Sequence, residues 1–152
     1  MIEINLRKPF PSELKWFSRE MTVAGYCAED EQVVLNPYVD LSRPQLACVL
    51  RNEAVRIFMR KLNLRPDIDL HHDQIAAFAG TPYEHDIDAL RETIIARVVS
   101  RDPSAGKVTE KQLGYACALS AIFDRLVKLT SDEAFDSDLL HLATNRDWSS
   151  GA

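Results

Sequence analysis

Side chains suited to metal chemistry concentrate in residues 67–88, which hold three of the chain's 4 histidines among several aspartates and glutamates. Imidazole and carboxylate groups are common metal ligands. A calcium loop here would need a glycine at the position of His72 and a glutamate at the position of Phe78. The histidines also match no zinc-binding spacing. The sequence therefore predicts no cofactor, and the ligands expected if a metal does bind are His71, His72 and His85.

The alternative interpretation of residues 67–88 is a helix-capping and loop region, and the missing metal spacing favours it. Asp69 or Asp73 would then cap a short helix, because aspartate accepts hydrogen bonds from the first turn. That helix would contain Phe78 and would end at Gly80, since glycine adopts the left-handed backbone that often follows a helix.

A second candidate for chemistry is Glu53, which stands between Asn52 and Arg56. In zinc peptidases two histidines four residues apart bind the metal from one helix face, and a glutamate next to the first acts as the base. Here Asn52 and Arg56 occupy the two histidine positions. Asparagine is a poor zinc ligand, and arginine is permanently positive and therefore repels the zinc cation. The segment resembles a zincin-like hydrolase scaffold that has lost its metal ligands, so no catalytic residue is predicted.

The element that would position Glu53 is a strand, a loop and a long helix within residues 33–62. The β-prone run that begins at Val33 stops at Pro37, which has no N–H for a sheet. Ser42 and Pro44 then form a helix-start signal, and no glycine or proline follows up to Leu62. The polar stripe of this helix is predicted to be a contact or salt-bridge face, and its members are Asn52, Arg56 and Arg60.

The remaining patterns predict a mainly α (α+β) fold, a helical core with a small N-terminal β-hairpin. Val23–Tyr26 and Gln32–Leu35 are β-prone runs around an acidic turn, which is typical of a hairpin. Further helices are expected from Thr81 and Pro82, and from a capping box at Thr109 and Gln112 to about Leu129. The predicted core comprises Val34, Leu50, Ala54, Ile57, Phe58, Ile94, Val98, Leu113 and Phe123.

The helix after Thr109 is apolar around most of its circumference, which is typical of a helix buried on several sides. In a chain of 152 residues we expect one of those sides to face another subunit. Residues 1–144, which include this helix, are predicted to form one globular domain, and residues 145–152 a polar C-terminal tail. Trp148 is the candidate docking residue of that tail, because tryptophan is enriched in binding hot spots.

Composition excludes several function classes. The formal net charge of −5 disfavours general nucleic-acid binding, which normally uses a basic surface. Only 5 glycines are present, without a GxGxxG or GxxxxGK[ST] pattern, so the usual nucleotide-binding loops are not expected. The 3 cysteines are far apart in sequence, which predicts free thiols in a reducing intracellular environment rather than a disulfide framework. No apolar run approaches the length of a membrane span.

Three stretches, residues 23–38, 51–61 and 93–112, resemble a family of small tailed-bacteriophage proteins of unassigned chemistry. They follow one another in the same order in that family and cover roughly a third of the chain. Such proteins often occur among the virion genes of short-tailed phages. The resemblance implies a phage context, with the virion or the host cytoplasm as the location, and it supplies no catalytic residue.

The sequence thus favours a non-enzymatic structural or interaction protein, a phage virion component or an assembly-associated protein. Its expected partners are other virion proteins, further copies of itself, or both. Two alternatives stay open. One is the zincin-like hydrolase scaffold without its metal ligands, and the other is a small phage regulator that binds a host protein.

Overall fold

A computed structural model describes residues 1–18, 24–27, 31–38, 40–131 and 137–144, with side chains described outside 24–27 and 137–138. It shows the mainly α (α+β) fold with its helical core. The elements in chain order are β1 (Ile2–Arg7), a 3-10 helix (Pro11–Trp16), β2 (Ala24–Cys27), β3 (Gln32–Leu35), α1 (Arg43–Lys61), α2 (His72–Ala76), α3 (Ile87–Ser100), a second 3-10 helix (Pro103–Ala105), α4 (Glu110–Leu126), β4 (Val127–Ser131) and α5 (Ser137–Thr144).

The strands form one mixed sheet in the order β2-β3-β1-β4. β2 and β3 are antiparallel, with Ala24 opposite Leu35, so the predicted hairpin is confirmed. β1 runs parallel to both of its neighbours, β3 and β4. Its side chains alternate between the two faces of the sheet, and Ile4 and Leu6 are fully buried on the face toward the helices.

The end of α4 differs from the prediction. The helix was expected to continue to about Leu129, but it ends at Leu126 and the chain continues as β4. β4 pairs with β1, whose Ile2 lies opposite Val127. This pairing buries Val127 and Leu129 and leaves Lys128 exposed, which is the alternation of a strand. Local helical periodicity gives no information on a partner strand at the other end of the chain.

Helix α1 lies at the centre of the helical layer, and its start follows the predicted signal. The Ser42 side chain accepts a hydrogen bond from the Gln45 N–H, and the Gln45 side chain accepts one from the Ser42 N–H, which completes a capping box. The predicted core is confirmed with one exception, since Leu113 is 42% exposed. The prediction for Leu113 is wrong because α4 packs with one side on the described part of the protein, and Leu113 lies on the other side.

The start of α3 was also predicted too early. Thr81 and Pro82 lie in a turn, and the helix begins at Ile87 with Asp86 as its N-cap. Asp86 accepts a hydrogen bond from the Ala89 N–H at 3.1 Å, whereas the Thr81 hydroxyl donates to the Phe78 carbonyl. The hydroxyl is therefore used in a local turn and not as a helix cap.

Arg51 is a fully buried side chain in the middle of α1, and it joins three further helices. Its Nε donates to the Val99 carbonyl of α3 at 3.1 Å, and its Nη2 donates to the Ser120 hydroxyl of α4 at 2.7 Å. Asp124 lies 3.0 Å from Nη1 and supplies the opposite charge. The guanidinium also lies over the Phe123 ring, 4.9 Å from its centroid.

The same guanidinium caps the end of α5. Its Nη1 donates to the carbonyls of Ala143 at 3.0 Å and Thr144 at 3.1 Å. The last carbonyls of a helix have no partner within the helix, and they carry the negative end of its dipole. Arg51 therefore satisfies these carbonyls with donors and with positive charge, and α5 is fixed against α1.

Replacing Arg51 with Met is expected to lower the free energy of unfolding by about 3–5 kcal/mol, because carbonyls, a hydroxyl and a carboxylate lose their shared partner. Urea denaturation followed by circular dichroism measures this change. The matched control is Arg60→Met, because the half-exposed Arg60 makes an ion pair with Glu92 worth at most about 1 kcal/mol. Equal unfolding midpoints for the two variants would contradict the assigned role of Arg51.

Candidate interaction surfaces and ligand cleft

The polar stripe of α1 is engaged with α3. Arg56 donates to the Asn52 side-chain oxygen at 2.8 Å and to the Thr93 hydroxyl at 3.1 Å. Arg60 forms an ion pair with Glu92 at 2.8 Å. Asn52, Arg56 and Arg60 thus form a salt-bridge and hydrogen-bond face inside the chain, and a contact from this stripe to another protein stays a prediction.

Glu53, at the position of the base in a zinc peptidase, is half-buried between these polar neighbours. Burial raises the pKa of its carboxyl, and Glu92 raises it further, while Arg56 lowers it. The flanking Asn52 and Arg56 are held by α3 as described above. The arrangement therefore contains a carboxylate with a raised pKa but no adjacent pair of metal-binding side chains.

The three candidate metal ligands do not come together, since His71 and His72 are neighbours at the start of α2 and His85 lies in a different turn. His71 caps α2, where its Nδ1 accepts from the Gln74 N–H at 3.3 Å and its Nε2 donates to the Lys107 carbonyl at 3.2 Å. His72 is exposed in the first turn of α2, and His85 is almost fully exposed in a turn. Within the described ranges, no group of three or more His, Cys, Asp or Glu side chains could hold a metal ion.

The structure confirms a short helix in this segment and corrects both of its ends. The helix ends at Ala76, and Phe78 and Gly80 lie in the turn that follows, where the Phe78 N–H donates to the carbonyl of Ile75, only three residues back. α2 begins after His71, and neither Asp69 nor Asp73 is its N-cap. Asp73 lies within the first turn, where its charge still complements the helix dipole. Histidine is rarely an N-cap, and the known preference for aspartate at this position led to the prediction of Asp69 or Asp73 instead.

Two glutamines join the starts of α2 and α4. The side-chain amides of Gln74 and Gln112 each donate to the other's oxygen at 2.8 Å. Gln74 also accepts from the His71 N–H, Gln112 accepts from the Thr109 N–H, and both glutamines are buried. Each is the third helical residue of a capping box, so the two boxes are connected back to back. We call this arrangement the glutamine clasp.

A cleft of about 620 Å³ lies beside the glutamine clasp, between α2, α3 and the loop before α4. Its walls include Phe78 and Ile94, and its polar lining includes Arg97 and Lys107. The Arg97 guanidinium lies 5.0 Å from the centroid of the Phe78 ring. The volume and the mainly apolar lining are those of small-molecule sites, which commonly span about 300–1,000 Å³.

The outward side of α4 is an uncharged surface of about three turns. From Gln112 to Phe123 the helix carries no charged residue. Its exposed side chains include Leu113 and Ile122, at 42% and 44% exposure. Between them lie small residues, among them Gly114, where an added Cβ would meet no atom of the described residues within 4 Å. We call the residues Leu113, Gly114, Cys117, Ala118, Ala121 and Ile122 the α4 outer face.

Trp148 and the predicted tail of residues 145–152 lie outside the described residues. Among the helices that the structure does describe, none is long and apolar enough to cross a membrane. In comparisons with protein-family models, curated proteins and solved structures, nothing matches this chain.

Sequence patterns missed Arg51, the glutamine clasp and the contact of Arg97 with Phe78. Arg51 lies next to the predicted polar stripe of α1, but a charged residue is normally expected at the surface. Gln112 was identified as part of a capping box, which accounts for half of the clasp. Its pairing with Gln74 depends on a contact across 38 residues that no local pattern contains.

Replacing Gln112 with Leu is expected to lower the free energy of unfolding by about 2–3 kcal/mol, because buried groups on both helices lose their partners. Gln45→Leu is the matched control, because Gln45 holds the same capping-box position in α1 but is exposed. Its loss is expected to cost about 1 kcal/mol or less. Chemical denaturation of both variants measures the difference, and equal losses would show that the clasp adds no stability.

Replacing Glu53 with Gln is expected to raise the melting temperature at neutral pH. A raised pKa means that the folded chain binds this proton more tightly than the unfolded chain does. The corresponding stabilisation of the folded chain is complete when the pH is below 4.5, the ordinary pKa of a glutamate carboxyl. It is lost as the pH rises through the raised pKa of Glu53 in the folded chain. Glutamine stays neutral, so its advantage should appear only above pH 4.5.

Thermal unfolding of Glu53→Gln and wild type across pH 4–8 checks this sign, within the pH range where carboxyls titrate. Glu92→Gln is the contrasting variant, because Glu92 pairs with Arg56 and Arg60 and its loss should lower the melting temperature. A Glu53→Gln variant that is less stable than wild type at neutral pH would show that the Glu53 carboxylate has a favourable partner.

Proposed function

We propose that this protein is a non-enzymatic structural or interaction protein that acts by binding other proteins. The observation that carries the proposal is the α4 outer face, which exposes two large apolar side chains on a surface without charge. Exposed apolar patches on soluble domains mark sites of protein association. Gly114 is consistent with this role, because glycine costs about 1 kcal/mol in a helix interior and nothing in the described part of the chain crowds it.

The partners that we propose are other proteins of a bacteriophage particle, further copies of this chain, or both. Support comes from residues 23–38, 51–61 and 93–112, which resemble small tailed-phage proteins. The third stretch runs from α3 through the loop into the first turn of α4, so it ends where the α4 outer face begins. A place in the virion, or among the assembly proteins in the host cytoplasm, fits both observations.

The zincin-like alternative has one observation in its favour, the raised pKa of the Glu53 carboxyl. Perturbed carboxyls are frequent at active sites. The polar residues around it argue against that function, because Asn52 and Arg56 make hydrogen bonds to Ser100 and Thr93 of α3. A regulator that binds a host protein would use the same kind of surface as a virion protein, so the partner distinguishes these two functions.

Ile122→Glu is expected to weaken partner binding about tenfold or more, because it buries an unpaired charge in the contact. The matched control is Ile87→Glu, since Ile87 on α3 is 45% exposed and Ile122 is 44% exposed. Tagged wild type and both variants are used for affinity capture from phage-infected cells, with quantitative mass spectrometry of captured proteins and of purified particles. Wild type and Ile87→Glu should retain virion proteins that Ile122→Glu loses.

Capture of one host protein, with none of this chain in purified particles, would favour the regulator instead. A wild-type chain that is monomeric, binds no virion protein and is absent from particles would overturn the proposed virion role. Folding of each variant is checked by circular dichroism, since an exposed substitution should change stability by only about 0.5 kcal/mol.

A further inference from the structure

We propose that the cleft between α2, α3 and the loop before α4 binds a small organic anion. In this ligand a carboxylate or phosphate group is joined to an apolar body. The inference does not depend on the proposed assembly role, because the cleft residues do not belong to the α4 outer face.

The charge that would recognise the anion is the guanidinium of Arg97. This side chain is half-buried on α3, and one of its sides lies over the Phe78 ring. Among the described residues it makes no ion pair and no side-chain hydrogen bond. A partly desolvated guanidinium attracts a carboxylate or phosphate more strongly than one in water, and it offers paired donors to both.

Several other arginines of this acidic chain, unlike Arg97, have a carboxylate partner among the described residues. Five arginines have a carboxylate within 4.0 Å, in the pairs Arg7–Glu13, Arg51–Asp124, Arg56–Glu92, Arg60–Glu92 and Arg91–Asp88. Arg97 has the Phe78 ring where these arginines have a carboxylate. With a formal net charge of −5, the chain has more carboxylates than cationic side chains, yet none of those described pairs with Arg97. An external anion bound in the cleft beside Arg97 can act as the carboxylate partner that the other arginines have within the chain.

The remaining lining defines the ligand further. Lys107 adds a second positive charge, and Asp73 is the one carboxylate among the described lining residues. The walls are apolar where Phe78, Ile94 and Val108 contribute, so a bare inorganic anion would leave most of the cleft unfilled. An apolar body of a few carbon atoms or one aromatic ring fits these walls and removes their surface from water.

The cleft is held in shape before any ligand arrives. The glutamine clasp fixes the start of α2 against the start of α4. His71 holds the Lys107 carbonyl at 3.2 Å, which ties the loop before α4 to α2. A preformed site binds with a smaller loss of conformational entropy than a site that must be ordered by its ligand.

The test is a titration of the isotope-labelled full chain with phenyl phosphate and with phenylacetate, followed by amide NMR shifts. Saturable shifts are expected at Gly106 and Lys107 and at Ala77 across the cleft. The stronger of the two probes identifies the anionic group. Inorganic phosphate lacks the apolar body and benzyl alcohol lacks the charge, so each should bind about tenfold more weakly.

Arg97→Met removes the guanidinium and keeps a similar length, and it is expected to weaken binding about tenfold or more. Arg65→Met is the matched control, because Arg65 is exposed and does not line the cleft. Lys107→Met is the second variant, at an exposed position where misfolding is not expected, and it should weaken binding severalfold. The proposal is overturned if neither aromatic probe gives saturable shifts, if inorganic phosphate binds as tightly as phenyl phosphate, or if Arg97→Met and Lys107→Met both bind like Arg65→Met.

Discussion

Arg51 joins α1 to α3, α4 and α5 through one buried guanidinium, and the helical layer depends on this contact. A charge without water is costly unless its hydrogen bonds are satisfied and an opposite charge is near. Here the donors meet the Val99, Ala143 and Thr144 carbonyls and the Ser120 hydroxyl, while Asp124 balances the charge. Because these groups come from three helices, moving any one helix would leave buried polar atoms unpaired.

The glutamine clasp acts on the same principle at the other end of α4. Gln74 and Gln112 exchange hydrogen bonds and thereby satisfy the starts of two helices in a buried position. With Arg51 near its end and the clasp at its start, α4 is fixed along one side. Its other side is left without a partner in the described chain, and the cleft beside the clasp is left open. Both proposed binding regions therefore follow from how polar side chains fix α4.

Much of the fold could be predicted from local patterns. The helix start at Ser42, the capping box at Thr109, the hairpin and most of the core follow from residue types and spacing over a few positions. β4 could not be predicted in this way, because its pairing with β1 decides between helix and strand. The candidate sites were even harder to predict from the sequence, since Arg97 and Phe78 come from different segments and neither belongs to a sequence motif.

The sequence by itself determined where α1 and α4 begin, which strands form a hairpin and most of the apolar side chains that enter the core. These features depend on backbone chemistry and hydrophobic periodicity within a few residues. Tertiary structure alone decided that Arg51 is buried, that Leu113 is exposed and that Arg97 lies in a cleft. The free energy of a polar or apolar side chain depends on its neighbours in space, and those neighbours come from distant parts of the chain.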